Sequence, residues 1–333
     1  MLRIFHNTKY DFIKWWRVAA IATAAFIAIG FSSMLFTGGF RESIDFLGGT
    51  LMQVRFNQPT DAGQIRAAVD QVTRDAEIAQ FGSDREFTIR AQDQALANAQ
   101  ARSGAETIAR HLKAALDQKF GASAYSVRRT EAVGPKVGGE LRRGAIIAIL
   151  VSFLLTLAYL AVRFEWRFGL AAVVATAHDI LTTLAFIKIM NLEISLTVIA
   201  AILTVIGYSL NDTIVIFDRV REHVRRMRKG DTFYDIVNQS VNETLPRSVL
   251  THATVSAATL ALLIFAGEVI RPFAWVMLFG VVTGTFSSVY VASAILIWIE
   301  NKYPRKDVGA VAKSTTAAPR PPAARPNQAV GAR

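Results

Sequence analysis

An aspartate lies inside one of the most apolar stretches of this chain. Asp212 belongs to the run Leu203–Phe217, which is long and apolar enough to form most of a membrane-spanning helix. A carboxylate near the middle of a bilayer costs about 2.5 to 3.5 kcal/mol on insertion scales, so such groups usually face a partner or water. Asp212 therefore predicts a proton site, in which a motion relative to a cation would load and release a proton. A static ion pair is the alternative.

Asp212 lies on a polar face of the predicted helix. Tyr208 and Ser209 precede it by about one turn and share its face, and Asn211 is adjacent. Arg219 follows about seven residues later, which places Asp212 about 10 Å from the edge of the membrane that carries this arginine.

Arg247 is the cation that we expect to approach Asp212. It opens the next apolar run, and Thr251 and Thr254 continue its helix face. A long arginine side chain that starts near the membrane edge could reach inward to a carboxylate on a neighbouring helix. The alternative is that Arg247 extends towards lipid phosphates.

Two further patterns lie within apolar runs. His178 and Asp179 are near the middle of one run, where they could extend a proton wire, or Asp179 could be a packing contact satisfied by hydroxyl groups. In the last run, Gly280, Gly284 and Ser288 recur every four residues, which indicates a ridge of small residues for close helix packing.

The composition indicates a polytopic membrane protein. Hydrophobic residues make up 52% of the 333, and the mean hydropathy is +0.32. Six stretches approach or exceed the roughly 20 apolar residues that cross a ~30 Å hydrocarbon core. They lie near residues 16–36, 143–162, 168–190, 195–217, 248–267 and 273–299.

Basic residues are concentrated on one side of these spans. They precede the first span, join the second to the third, and follow the fourth. By the positive-inside rule these segments, and both termini, are cytoplasmic. The net charge of +11 is thus explained by topology, and we do not expect nucleic-acid binding, because the basic residues flank spans and form no single basic domain.

The spans define a layout with one folded domain outside the membrane. The predicted parts are a cytoplasmic N-terminus (1–15), a transmembrane helix (16–36), an exported, periplasmic α+β domain (37–142), a five-helix transmembrane region (143–300) with a cytoplasmic amphipathic connector (218–247), and a disordered cytoplasmic tail (301–333). Within the connector, we expect a separate surface helix from Arg219 that Gly230 ends, and another helix from Phe233.

The exported domain has the pattern of a small sheet with two helices. Apolar residues alternate from Met52 to Phe56, as on a strand, and recur at helical spacing from Ile108 to Leu116. The full order, β-α-β-β-α-β, is that of the ferredoxin-like fold. His111 and the carboxylates here lie on ordinary polar helix faces, so we expect no enzyme; a sheet edge could instead bind an extended peptide.

Taken together, several motifs resemble one known family. The most specific reads Gly-Tyr-Ser-Leu-Asn-Asp-Thr-Ile-Val-Ile-Phe-Asp-Arg at 207–219. The others are 44–50, 133–143, 163–168, 177–179 and 284–288. Over about residues 40 to 300 the chain resembles the SecD/SecF family of bacterial protein-export membrane proteins, in particular SecF.

The resemblance implies a subunit that pairs with SecD beside the SecYEG channel, with YajC as a further candidate partner. It would use the proton-motive force to help unfolded secretory proteins across the inner membrane, with membrane lipids around it, the proton as coupling ion, and no cofactor or metal. The fold would be half of a transporter of the resistance-nodulation-division type. In the family, the carboxylate of the Asn-Asp-Thr motif and the arginine opening span five are implicated in proton conduction, and these match Asp212 and Arg247.

The sequence departs from the family pattern beside that arginine. Relatives often read Thr-Ser-x-Thr where this chain has Thr251-His-Ala-Thr254, and Ala294 stands where a proline is common. We expect His252 to point towards lipid, and the alternative is a titratable group near the proton path. Two other functions compete with protein export: a proton-coupled small-molecule exporter of the resistance-nodulation-division type, and a passive scaffold of the translocon.

Overall fold

The computed structural model describes residues 8–73, 76–91, 101–227, 230–267 and 269–305, with the backbone alone at 101–106 and 135. Most of the tail that we predict to be disordered, from 306 onward, lies outside the described residues. In chain order the elements are α1 (Trp16–Thr37), β1 (Arg41–Glu42), α2 (Ile44–Leu47), β2 (Gly49–Phe56), α3 (Ala62–Val69), β3 (Glu77–Phe81), β4 (Ser83–Ala91), α4 (Ala101–Phe120), β5 (Tyr125–Val133), α5 (Pro135–Arg163), α6 (Trp166–Ile189), β6 (Glu193–Ile194), α7 (Leu196–Arg225), α8 (Phe233–Phe265), α9 (Arg271–Ser287) and α10 (Ser293–Lys302). A 3₁₀ turn, Ile13–Trp15, precedes α1, and a π-helical turn, Ser288–Ala292, joins α9 to α10.

Six of the described helical segments are long and apolar enough to cross a membrane, as the sequence predicts. They are α1, α5, α6, α7, α8, and the continuous segment from α9 to α10. Helices α1 and α5 expose most of their apolar side chains, whereas α6, α7 and the α9–α10 segment bury about half of theirs. Because an exposed apolar helix face is stable only in lipid, this pattern fits a bundle whose rim faces the bilayer.

The region between α1 and α5 is a four-stranded antiparallel sheet with the order β3-β4-β2-β5. With α3 and α4 it has the β-α-β-β-α-β order of the ferredoxin-like fold, so this prediction is confirmed. The alternation of β2 places Val54 in a core with Ile65 of α3, Ile89 of β4 and Leu112 of α4, all fully buried. Tyr125, which begins β5, donates a hydrogen bond to the Asp117 carboxylate at the end of α4 (2.8 Å).

Short contacts attach this domain to the outer end of the bundle. Strand β1 pairs in parallel with β6, in the turn between α6 and α7, and the Ser43 amide donates to the Ile194 carbonyl (2.9 Å). Asp45 accepts a hydrogen bond from the Leu196 amide, at the first residue of α7 (3.0 Å). Lys188 near the end of α6 donates to the Gly38 and Gly39 carbonyls just after α1 (2.8 and 2.7 Å).

The connector between α7 and α8 differs from our prediction of a separate surface helix. Helix α7 continues without a break to Arg225, and α8 begins at Phe233, so most of residues 218–247 form the ends of two spanning helices. A 30-residue helix is about 45 Å long, about 15 Å more than the hydrocarbon core, so the basic end of α7 extends beyond it. Thr232 caps α8 by accepting a hydrogen bond from the Asp235 amide (3.1 Å).

Candidate functional site

Asp212 lies where α7 packs against α8 and α9. Only 4% of its surface is exposed, so the side chain faces the interior of the bundle and not the lipid. The Ser248 hydroxyl of α8 donates a hydrogen bond to one carboxylate oxygen, Oδ1. The second oxygen, Oδ2, is sealed and has no hydrogen-bond partner among the described residues. Burying a carboxylate oxygen without a hydrogen-bond partner destabilises the folded chain. Because this oxygen has no hydrogen bond to lose, it can acquire a new partner without breaking one.

His252 faces the same interior and not the lipid, so our expectation for it is wrong. It follows Ser248 by one helical turn and therefore shares its face of α8. The side chain is 8% exposed, and Nδ1 lies 2.5 Å from the Thr285 hydroxyl of α9. Its ring centroid is 6.4 Å from that of Tyr208 on α7. His252 and Asp212 are close enough across this interior for a charge on one to act on the other.

The predicted contact between Arg247 and Asp212 is not present in the described part of the chain. Arg247 is exposed, because it is rotated about 100° around α8 from Ser248, which is the residue that meets Asp212. Its charge still acts on Asp212 from a distance. Thr251 is exposed too, and its hydroxyl donates to the backbone of its own helix. Asn211 is exposed on the outer surface of α7.

A second buried carboxylate lies on α6. Asp179 is 1% exposed; its Oδ2 accepts a hydrogen bond from Ser209 of α7, and its Oδ1 lies 3.1 Å from Nδ1 of His178. A hydroxyl group from the neighbouring helix thus binds this carboxylate, while the hydroxyls that follow Asp179 on α6 do not. Thr182 donates to the α6 backbone, and the Thr183 hydroxyl is buried without a partner among the described residues.

Helix α7 connects the two carboxylates. Ser209, which binds Asp179, precedes Asp212 by about one turn on the same helix. One residue beyond Asp212, Thr213 shares a hydrogen bond with Ser288 of the π-helical turn (2.9 Å). A displacement of α7 therefore changes the surroundings of both carboxylates together.

The small residues of α9 allow α7 to approach this closely. A Cβ atom at Gly280 would lie 2.2 Å from a methyl carbon of Val205, and one at Gly284 would lie 3.0 Å from Cβ of Ser209. Glycine at these positions thus brings Ser209 and its hydroxyl up to α6 and α9. The sequence predicts a packing ridge of Gly280, Gly284 and Ser288. The structure places the two glycines against α7, and Ser288 forms a hydrogen bond with Thr213 of that helix.

A buried carboxylate beside a hydroxyl and an imidazole is chemically able to take up and release a proton. No group of three or more His, Asp or Glu side chains that could hold a metal ion occurs among the described residues. Protonation of Asp212 would convert an acceptor of the Ser248 hydrogen bond into a group that can also donate one. Ser248 and His252 form a second polar stripe on α8, and the structure turns this stripe inward while the stripe of Arg247 and Thr251 stays exposed.

Comparisons with known proteins identify the family. The model of the "Protein export membrane protein SecD/SecF, C-terminal" family matches residues 112–302, and that of the "SecD/SecF GG Motif" matches residues 33–60. The "Protein translocase subunit SecF" of Gemmatimonas aurantiaca is 60% identical over 318 residues, which cover 95% of each chain. The chain belongs to the SecD/SecF family, among its SecF members.

Other SecF relatives and solved SecDF structures agree with this assignment. The SecF of Vibrio alginolyticus is 41% identical over 86% of this chain and 88% of its own. The crystal structure of SecDF, "a translocon-associated membrane protein", from Thermus thermophilus superposes with a TM-score of 0.77 at 34% identity. A SecDF structure in a "Super-membrane-facing form" gives a TM-score of 0.63 at 32% identity. The chain covers 89% and 92% of its own length in these matches but only 39% and 40% of the SecDF chains.

Proposed function

We propose that this protein pairs with SecD and uses the proton-motive force to promote the translocation and release of secretory proteins across the bacterial inner membrane. In this proposal both termini are cytoplasmic, and Asp212 is the group that takes up and releases the proton. One observation carries it: the carboxylate of Asp212, buried inside the bundle, has one oxygen with no hydrogen-bond partner among the described residues.

The working step is a change at the contact between α7 and α8. When Asp212 is charged, it accepts the Ser248 hydrogen bond and is exposed to the distant charge of Arg247. When it is protonated, both interactions weaken, and the preferred spacing of the two helices changes. His178 and Asp179 belong to the same proposal as the polar group that adjusts when Ser209 moves with α7.

The free energy of proton movement across the membrane is enough to shift the conformations of the bundle, but one proton alone would not switch them fully. One elementary charge that crosses 100 mV releases about 2.3 kcal/mol. Moving a two-state equilibrium from 1:99 to 99:1 requires about 5.5 kcal/mol. A single proton therefore biases the conformations, and a full switch needs two or more protons or an added pH gradient.

The outer surface of α7 supports a partner within the membrane. The exposed positions Thr204, Gly207 and Asn211 recur on one face at intervals of three and four residues. Small and polar residues at such spacing are typical of helix–helix contacts in lipid. This face fits contact with SecD, since the chain corresponds to about two-fifths of the SecDF structures. The SecYEG channel is the next proposed partner, YajC a further one, and unfolded secretory proteins are the proposed cargo.

The experiment that tests the proposal measures unexported precursor in cells that depend on this chain. Cells with Asp212→Asn, at protein levels matched to wild type, should accumulate precursor, because the amide cannot take up a proton. Asp218→Asn is the matched control: it changes a half-exposed aspartate of the same helix that pairs with Arg163 (3.1 Å). Normal export with Asp212→Asn in a folded, SecD-associated chain would eliminate proton coupling through this residue and leave the scaffold function.

A further inference from the structure

We propose that His252 carries the proton between the outer half of the bundle and Asp212. This inference rests on the proposed function and assigns the residue that supplies protons to the same site. It starts from a feature that the Asp212 site does not use, a buried imidazole at the meeting point of three helices.

Thr285 holds the imidazole in a form suited to this role. The Thr285 hydroxyl lies within hydrogen-bond distance of the Val281 carbonyl (3.2 Å) and of Nδ1 of His252 (2.5 Å). A hydroxyl that gives its hydrogen to the carbonyl has lone pairs left to accept Nδ1–H. That hydrogen bond persists whether Nε2 is free or protonated, so Nδ1 keeps its hydrogen while Nε2 exchanges one.

His178 and His252, the histidines near the two buried aspartates, differ at the nitrogen that would exchange a proton. Nε2 of His178 is sealed and has no partner among the described residues. Nε2 of His252 also makes no hydrogen bond to them, but it is not among the sealed atoms. Nε2 of His252 is therefore the less enclosed of the two nitrogens in this conformation.

The position of His252 gives the transfer a direction. Helix α8 runs from the cytoplasmic side outward in the predicted topology, so His252 lies one turn farther out than Ser248, the residue bound to Asp212. Towards the cytoplasm, the next buried side chains of α7 beyond Thr213 are Ile216, Phe217 and Val220. On α7, apolar residues thus lie on the cytoplasmic side of Asp212, whereas the His252 imidazole lies on its outer side.

Few other charged or titratable groups face His252. Helix α7 contributes Asp212 and Tyr208, and the described residues of α9 contribute the hydroxyl of Thr285. On α8 itself, the charged Arg247 is exposed and lies on a different face from His252. In the transfer, Nε2 takes a proton from water on the outer side, which forms an imidazolium. It then passes this proton to Oδ2 of Asp212, directly or through one water, which restores the neutral ring and leaves a neutral acid.

The test compares export at different outer pH values in cells with matched protein levels. Histidine changes charge between about pH 5 and 8, so wild-type export should fall as outer pH rises through this interval. His252→Gln keeps a polar group of similar size but cannot carry the proton. We expect export about a hundredfold slower at pH 6, at the lower end of what a positioned proton-transfer group contributes, and no dependence on outer pH. His223→Gln changes a histidine at the inner end of α7, bound to Glu243 (2.9 Å), and should keep the wild-type profile.

The outcomes separate this inference from the proposed function. If His252→Gln keeps the wild-type pH profile while Asp212→Asn abolishes export, His252 is not the carrier and the proposed function stands. If Asp212→Asn exports normally, both fail. A measurement on the wild-type chain covers the case in which the variant does not fold: ¹⁵N NMR of histidine in bilayers should show Nδ1 protonated throughout and Nε2 titrating. A resonance of His252 with the opposite tautomer, or without titration between pH 5 and 8, would overturn the inference.

Discussion

The two buried aspartates of the bundle occupy opposite situations. Asp179 has a hydrogen-bonding group at each oxygen, Ser209 at one and His178 at the other, and is almost fully sealed. Asp212, on the neighbouring helix, is bound at one oxygen by Ser248 and has nothing at the other among the described residues. A saturated buried carboxylate stabilises one packing of the helices, whereas an unsaturated one leaves room for a second.

This difference suggests that the two carboxylates should respond differently to mutation. Loss of Asp179 should mainly lower stability, and loss of Asp212 should mainly lower export. The changes below test this difference between the two aspartates, in order of their expected effect on stability.

Asp179→Ala should have the largest effect, a loss of about 3 kcal/mol in the free energy of unfolding. The change leaves His178 and the Ser209 hydroxyl buried without their partner and opens a cavity between α6 and α7. Equilibrium unfolding of the purified chain in mixed micelles measures it. Asn211→Ala, on the exposed surface of α7, is the control and should be neutral. Wild-type stability of Asp179→Ala would break the contrast.

Ser248→Ala should cost about 2 kcal/mol, because it removes the one hydroxyl that donates to Asp212 and leaves both carboxylate oxygens unpaired. Precursor export should fall as well, and by more than Ser209→Ala lowers it. The same unfolding measurement, together with the precursor assay, checks both parts. Ser256→Ala, at a half-buried position two turns later on α8, should change neither. Equal export defects in Ser248→Ala and Ser209→Ala would show that the two carboxylates have the same role.

Gly284→Ala should cost about 1 kcal/mol, since its Cβ would lie 3.0 Å from Cβ of Ser209 and push α7 away from α9. Gly207→Ala provides the opposite case on α7, where a Cβ would meet nothing within 4 Å. There, the better helix propensity of alanine should leave the chain as stable or slightly more so. Differential scanning fluorimetry of the two variants in one detergent compares them. The idea of a packing ridge fails if Gly284→Ala is the more stable.

Arg247→Met should change stability by less than about 0.5 kcal/mol, because the side chain is exposed. Export should fall by less than with Asp212→Asn, since the charge acts on Asp212 without contacting it. Arg247→Lys keeps the charge and should restore export. An Arg247→Met defect as large as that of Asp212→Asn would mean that the two side chains meet in another conformation.

The sequence predicted the overall architecture well because the signals are long and repeated. The six spans follow from length and hydropathy, and the order of the outer domain follows from alternation in β2 and helical spacing in α4. These features average over many residues, so a local irregularity such as the π-helical turn did not obscure them. The division of the connector failed because no helix-breaking residue marks the membrane edge within α7.

The site was harder to predict because it depends on the rotation of single helices. Arg247 and Ser248 are adjacent, and both begin polar stripes on α8, one continued by Thr251 and the other by His252. Nothing in the sequence says which stripe turns inward, since a rotation of about 100° exchanges them. The same limit applies to Asp179, whose partner Ser209 comes from another helix.

The contacts at the first residues of α7 determine how a small movement of this helix is transmitted to the sheet domain. The Asp45 carboxylate is bound to the first amide of α7, and Ser43 is bound to the strand just before that helix. These residues lead directly into β2, at the centre of the sheet. Hydrogen bonds thus connect the first turn of α7 to the segment that leads into the sheet. A tilt of α7 by a few degrees would therefore move the far edge of the outer domain by several ångströms.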